Sequence, residues 1–78
     1  MKNIFLDELP LNIKAKVVRV VPKSKIRKRL MDMGMVPGTQ IIIEGKAPLG
    51  DPIKVRVRGY KLTLRKKEAQ DILVEKVC

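Results

Sequence analysis

The clearest hydrophobic pattern in the chain is a strict alternation of apolar and polar residues from position 53 to position 65, interrupted only by Arg58-Gly59. A period of two residues is typical of a strand with one buried face, and an X-Gly pair between two such runs favours a tight hairpin turn. The register of that hairpin would pair Val57 with Tyr60, Val55 with Leu62 and Ile53 with Leu64. We therefore predict a β-hairpin with all six of these residues, Tyr60 included, on one face.

Three further segments have the composition of strands. Residues 14–21 are rich in β-branched side chains and stop at a proline, and residues 40–44 follow a Pro-Gly pair that is typical of a type II turn. Residues 72–77 form the last predicted strand. Residues 4–9 are also largely apolar, but the proline that follows them stops a helix there.

Helical spacing occurs between the strands. In residues 25–33, Ile26, Leu30 and Met33 follow one another at four and three positions, which places them on one helix face. Ser24 stands before this segment as the predicted N-cap, and a glycine follows it where a left-handed residue is favoured. A short helical turn is predicted at residues 66–70.

This order of elements predicts an all-β (mostly β) fold, a small SH3-like barrel of about five strands with one short α-helix and a helical turn. We expect a single domain over residues 1–78, because no linker or repeat interrupts the chain and its length suffices for one thin core. The apolar runs are too short for a signal peptide or a membrane span. Together with a lone cysteine, Cys78, this leads us to expect a cytoplasmic protein.

The charge of the chain is its strongest compositional feature. It has 18 Lys and Arg residues against 8 Asp and Glu, a formal charge of +10, and the cations concentrate in residues 14–29 and 54–67, which contain no acid. Arg56 and Lys61 would lie opposite each other on the outer face of the hairpin, at a small electrostatic cost. Such a surface is either only solvated or meets an acidic protein, a nucleic acid or an anionic lipid. The scarcity of aromatic residues counts against nucleic acid, because single strands are bound by stacking.

The residues that could carry chemistry do not favour catalysis. The chain has no histidine, so the hydroxyl of Ser24 and the thiol of Cys78 lack the usual base. Asp7 and Glu8 are adjacent and would point apart on a strand, which disfavours a pair of catalytic carboxylates. We therefore predict a non-enzymatic protein without a cofactor and without a metal site closed by one chain. A loose carboxylate site, or one shared between subunits, stays open.

Candidates for a partner surface are the apolar residues that need not be buried. Met31 lies off the predicted buried face of the helix, Met35 follows that helix, and Leu49 stands in a loop bounded by two prolines. Methionine is common on surfaces that accept partners. For Met33 and Met35, the alternative is burial in the hydrophobic core. Apolar anchors would supply affinity and cations would speed encounter. The predicted partner-binding residues are Met31, Met35, Leu49, Arg56, Arg58 and Lys61.

Three motifs together resemble a known family. In chain order they are Arg29-Leu30-x-x-Met33-Gly34-Met35-x-Pro37-Gly38, Ala47-Pro48-Leu49-Gly50-Asp51-Pro52, and Arg58-Gly59-Tyr60-x-Leu62-x-Leu64-Arg65 with Glu68-Ala69. Their order and spacing are similar to those of the FeoA family, ferrous iron transport protein A, over nearly the whole chain. Asn12 departs from the family pattern, where a glycine is expected, but asparagine tolerates a left-handed backbone. The high positive charge is a second departure.

The resemblance implies an SH3-like barrel that serves as a cytoplasmic accessory of FeoB, a membrane transporter that imports Fe²⁺ and has a cytosolic GTP-binding domain. It implies a FeoB-type transporter as the partner, with recruitment to the inner face of the membrane. A related barrel ends the DtxR-type repressors, but no helix-turn-helix precedes the barrel here. The alternative functions are a basic nucleic-acid-binding barrel and a module that binds or senses Fe²⁺ directly. Association into a homo-oligomer through an exposed strand edge stays open.

Overall fold

A computed structural model describes residues 3–49 and 51–77 of the chain. Cys78 and Gly50 lie outside the described residues. The strands are β1 (Asn3–Phe5), β2 (Lys14–Val20), β3 (Gln40–Lys46), β4 (Ile53–Val57), β5 (Tyr60–Leu64) and β6 (Ile72–Lys76). The helical segments are a 3-10 turn at Leu6–Glu8 and the short helices α1 (Arg27–Asp32) and α2 (Lys66–Ala69).

The strands form one antiparallel sheet in the order β1-β6-β2-β3-β4-β5. The hairpin of β4 and β5 has the predicted register, from Ile53 opposite Leu64 to Val57 opposite Tyr60. The sheet has six strands rather than about five, because residues 3–5 pair with β6 at the edge. This pairing could not be inferred from the short apolar segment alone, since its partner lies at the other end of the chain.

One hydrophobic cluster lies inside the sheet and is closed by α1 and α2. The alternation of β4 places Ile53, Val55 and Val57 in this core, and Leu30 of α1 packs onto it. Tyr60 differs from the prediction, because 44% of its surface is exposed. Its hydroxyl lies outside the core and donates a hydrogen bond to the backbone carbonyl of Met33.

The first helix is shorter than predicted, and Ser24 is not its N-cap. The cap position belongs to Ile26, without a side-chain cap hydrogen bond. The Ser24 hydroxyl instead donates to Oδ2 of Asp71 at 2.7 Å and accepts from the Ile26 amide at 3.3 Å. The residue thus joins the segment before α1 to the segment before β6, a tertiary contact that overrides the local capping preference.

Two turn predictions are confirmed by backbone angles. Gly38 has a φ of 91°, and the amide of Thr39 donates to the carbonyl of Val36 at 3.1 Å, as a type II turn requires. Asn12 has a φ of 62°, so asparagine adopts the left-handed conformation expected at that position. The backbone amide of Asn12 donates a hydrogen bond to the carbonyl of Ile43 at 2.9 Å, which fixes the start of β2 beside β3.

Candidate functional site

Cations from three of the four neighbouring strands β2 to β5 share the outer face of the sheet. Lys14 of β2 and Arg56 of β4 both stand opposite Ile42 of β3. Arg56 also stands opposite Lys61 of β5. Because side chains alternate between the two faces of a strand, the basic residues at these positions point to solvent. We name the exposed set the basic sheet face; its cations are Lys14, Lys16, Lys54, Arg56, Arg58 and Lys61.

A carboxylate compensates part of this charge. Glu44 of β3 accepts a hydrogen bond from Nε of Arg56 at 2.7 Å, and Nζ of Lys61 lies 3.6 Å from its other oxygen. The hydrogen bond from Arg56, with the nearby charges of Arg56 and Lys61, lowers the pKa of Glu44 below its usual value. The predicted repulsion between Arg56 and Lys61 is therefore offset by one shared acid. Sequence reasoning missed Glu44, although its position two residues after Ile42 places it on the same face.

A shallow open groove of about 450 Å³ crosses the basic sheet face beside the hairpin turn. Lys14, Arg56 and Arg58 line it together with the backbone at Gly38 and Gly59. Arg58 has a φ of 33°, on the positive side where non-glycine residues are uncommon. The turn thus holds a guanidinium at the rim of the groove in place of the Asn or Asp that such turns prefer.

The apolar half of the predicted surface is corrected by the structure. Met35 is fully buried, so its side chain belongs to the core and cannot contact a partner. Met31 is half-buried and packs against the same core. Leu49 alone among the three is freely accessible, with 90% of its surface exposed. Met31 lies within α1, whereas Met35 follows the end of that helix at Asp32.

The predicted residues form two groups rather than one patch. Arg56 and Lys61 meet at Glu44, and Arg58 stands next to them at the turn. Leu49 precedes β4, whereas Arg58 follows it. β4, about 13 Å long at roughly 3.3 Å per residue, lies between them in the chain. The structure therefore brings the three cations together and leaves Leu49 at the other end of the strand.

The described residues contain neither a cluster of metal ligands nor a membrane-spanning helix. Within residues 3–49 and 51–77, no three side chains of His, Cys, Asp or Glu come close enough together to hold a metal ion. No helix in the described part of the chain is both long and apolar enough to cross a bilayer.

Comparison with known proteins places these features in a family. The model of the FeoA domain matches residues 4–76. A FeoA-like protein from Clostridium acetobutylicum is 58% identical, with a TM-score of 0.91, over 100% of this chain and 91% of that one. FeoA from Stenotrophomonas maltophilia, solved in complex with zinc and described as an SH3 domain protein, is 33% identical with a TM-score of 0.81, over 92% of this chain and 89% of that one.

A longer relative places the same domain beside a transporter. The Fe(2+) transport protein A/Fe(2+) transporter FeoB fusion protein of Porphyromonas gingivalis is 40% identical over 70 residues. The match covers 90% of this chain but only 8% of the fusion protein. The family model, the two solved structures and the motifs around Gly34, Leu49 and Tyr60 agree, and the chain belongs to the FeoA family of ferrous iron transport proteins, with its SH3-like fold.

Proposed function

We propose that this chain is a non-enzymatic cytoplasmic accessory of ferrous iron uptake, which binds a FeoB-type transporter through protein–protein contact. The observation that carries the proposal is the fusion protein, in which a domain 40% identical to this chain is covalently joined to FeoB. A covalent link keeps two modules at a high effective concentration without any strong interface. A separate chain has to achieve the same association through its own surface.

The surface that fits this role combines Leu49 with the cations at the hairpin. Leu49 is the most exposed of the large hydrophobic residues, and a side chain of this kind becomes an anchor when a partner buries it. Arg56, Arg58 and Lys61 are solvent-exposed and would speed encounter with an acidic partner surface. The gap of about 13 Å along β4 fits within one interface, since a standard interface covers roughly 800 Å² on each partner.

The test is binding of the full chain to the FeoB-type transporter, or to its cytosolic GTP-binding domain, for two matched leucine variants. Leu49→Asp should weaken binding by about tenfold or more, because a buried anchor would become a buried charge. Leu11→Asp is the control, since Leu11 is also an exposed leucine, at 47%, in the turn before β2. Equal binding by both variants and the unaltered chain would remove Leu49 from the interface.

The cations are tested separately. Arg58→Glu should lower the association rate and reduce its dependence on salt, while the dissociation rate changes less. Met31→Asp cannot test whether Met31 contacts the partner. Its half-buried side chain packs against the core, and an acid there would destabilise the fold. Purified chain that binds Fe²⁺ tightly, or binds nucleic acid in place of the transporter, would favour one of the two alternative functions.

A further inference from the structure

A second basic region lies where the segment before α1 faces α2. It is an open groove of about 470 Å³ whose lining includes Val21, Ser24, Ile26, Glu68 and Asp71, with four cations, Lys23, Lys25, Arg65 and Lys67. We name it the helix-side groove. We propose that it binds the phosphate headgroup of an anionic lipid and so docks this protein directly on an anionic bilayer.

The cations of the groove are uncompensated. Lys23 and Lys25 come from the turn that precedes α1, and Arg65 and Lys67 come from the start of α2. Throughout the described residues, no carboxylate lies within ion-pair distance of any of these four side chains. Four like charges that converge on one depression repel one another, and an anion placed between them relieves that repulsion.

The acids nearby are engaged in holding the frame of the groove. Oδ2 of Asp71 accepts the Ser24 hydroxyl at 2.7 Å, and Oε1 of Glu68 accepts the backbone amide of Arg65 at 2.8 Å. The other oxygen of Glu68 lies 3.5 Å from the guanidinium of Arg29, outside the groove lining. The carboxylates therefore fix the two walls relative to each other and leave the cations available to an external phosphate.

The floor of the groove distinguishes a lipid from other phosphates. Val21 and Ile26 contribute apolar surface between the cationic walls, and both are only half-buried. A groove that combines cations with apolar surface matches an amphiphile, whose phosphate meets the cations while its glycerol and first methylenes cover the apolar residues. No aromatic side chain among the described residues lines the groove, which disfavours a single-stranded nucleic acid bound by stacking.

The basic surface continues beyond the groove. Lys28 and Arg29 of α1 line a second depression that also contains Lys25, Ile26 and the acid Asp32, and Arg29 is paired with Glu68. Lipid headgroups around the one in the groove would face these additional cations, and each cation near an anionic surface strengthens binding. This proposal does not rest on contact with a FeoB-type transporter, because it can be tested on vesicles that contain no protein.

The experiment compares two triple variants that remove the same number of charges. Lys23→Gln/Lys25→Gln/Lys67→Gln alters the helix-side groove, and Lys14→Gln/Lys16→Gln/Lys54→Gln alters the basic sheet face. Binding is measured by co-sedimentation with vesicles of phosphatidylglycerol and phosphatidylcholine, against phosphatidylcholine alone. The groove variant should lose about a hundredfold in partition coefficient, at roughly fivefold per cation near the surface, and the sheet variant less than tenfold. Equal losses would overturn the site, because net charge alone would explain them.

A second measurement uses the unaltered chain, so that it does not depend on how a variant folds. Backbone amide shifts are followed by NMR during titration with a short-chain phosphatidylglycerol and, separately, with glycerol 3-phosphate. Shifts centred on Ser24, Ile26 and Asp71, at lower concentration of the lipid than of the phosphate, support the proposal. Equal affinity for both would overturn the apolar contribution, and tighter binding of a single-stranded polynucleotide than of the vesicles would assign the groove to nucleic acid instead.

Discussion

The basic sheet face and the helix-side groove are both rich in cations but differ in where their acids point. On the sheet face, Glu44 projects outward and compensates Arg56 and Lys61. In the groove, Asp71 accepts a hydroxyl and Glu68 accepts a backbone amide, so neither acid pairs with a cation of the groove. A chain with so few acids shows how the placement of each one decides whether a cluster of cations is compensated. The first surface suits encounter with a protein, and the second suits capture of a phosphate.

The hairpin of β4 and β5 contacts the end of α1. The hydroxyl of Tyr60, at the start of β5, donates to the carbonyl of Met33. Gly34, the next residue, has a φ of 102°, and a Cβ there would collide with that hydroxyl. The hairpin and the end of α1 therefore pack closely against each other at Tyr60 and Gly34.

Among the predicted partner-binding residues, we expect the largest difference in the free energy of unfolding between variants of Met35 and Leu49. Met35→Ala should lower the free energy of unfolding by about 2–5 kcal/mol, because it opens a cavity in the core. Leu49→Ala should change it by less than about 0.5 kcal/mol, since the side chain is in solvent. Urea unfolding followed by circular dichroism measures both. Similar losses for the two variants would contradict the burial of Met35 after α1.

Gly34→Ala tests the contact between the hairpin and the end of α1. We expect a loss of about 1–3 kcal/mol from the positive φ, with a further loss from the collision with the Tyr60 hydroxyl. Gly38→Ala is a matched control, because Gly38 has a φ of 91° but no heavy atom within 4 Å of an added Cβ. Denaturant unfolding should therefore show a larger loss at Gly34. Tyr60→Phe should recover part of that excess in the double variant, and additivity of the two changes would argue against the collision.

Ser24→Ala tests the wall of the helix-side groove. The variant removes a partly buried hydroxyl that bonds both Asp71 and the amide of Ile26, so the expected loss is about 1–3 kcal/mol in the free energy of unfolding. Asp71→Asn retains an oxygen that accepts the hydroxyl and should lose less. Phosphatidylglycerol binding should fall along with stability in Ser24→Ala, because the groove walls are no longer fixed. Unchanged stability would show that the hydroxyl does not hold the walls.

The hairpin was predictable because two independent signals agree there. The alternation around Val55 and the turn at Arg58-Gly59 specify the same register, and a slip by one residue would expose the whole apolar set. That register also places Arg56 opposite Lys61 on the outer face. The alternation wrongly predicted a buried Tyr60, because β5 begins at this residue and its hydroxyl bonds the end of α1.

The helix side was less predictable because its contacts are distant in sequence. Ser24 has the local signature of an N-cap, but its partner Asp71 is 47 positions away. The helical period cannot tell which of Met31 and Met35 is more buried, since the helix ends between them. Only the tertiary structure shows that Lys23 and Lys67 face the same groove.

The smallest expected effect concerns the shared acid of the basic sheet face. The pKa of Glu44 is lowered in the folded chain, chiefly by the hydrogen bond from Arg56. Its stabilising contribution is therefore fully present above the unfolded pKa, about 4.3, and is lost as the pH falls through the lower folded value. In Glu44→Gln, the free energy of unfolding should fall less between pH 5 and pH 3 than in the unaltered chain.

Salt and a second variant decide whether the pH effect comes from this network. The ion pairs of Glu44 are exposed, so high salt should reduce the difference between Glu44→Gln and the unaltered chain. Adding Arg56→Gln should remove most of what Glu44→Gln changes, because the hydrogen bond that lowers the pKa is then absent from both chains. A pH difference that persists in the Arg56→Gln background would mean that Lys61 alone maintains it, and the basic sheet face would then be compensated by one cation rather than two.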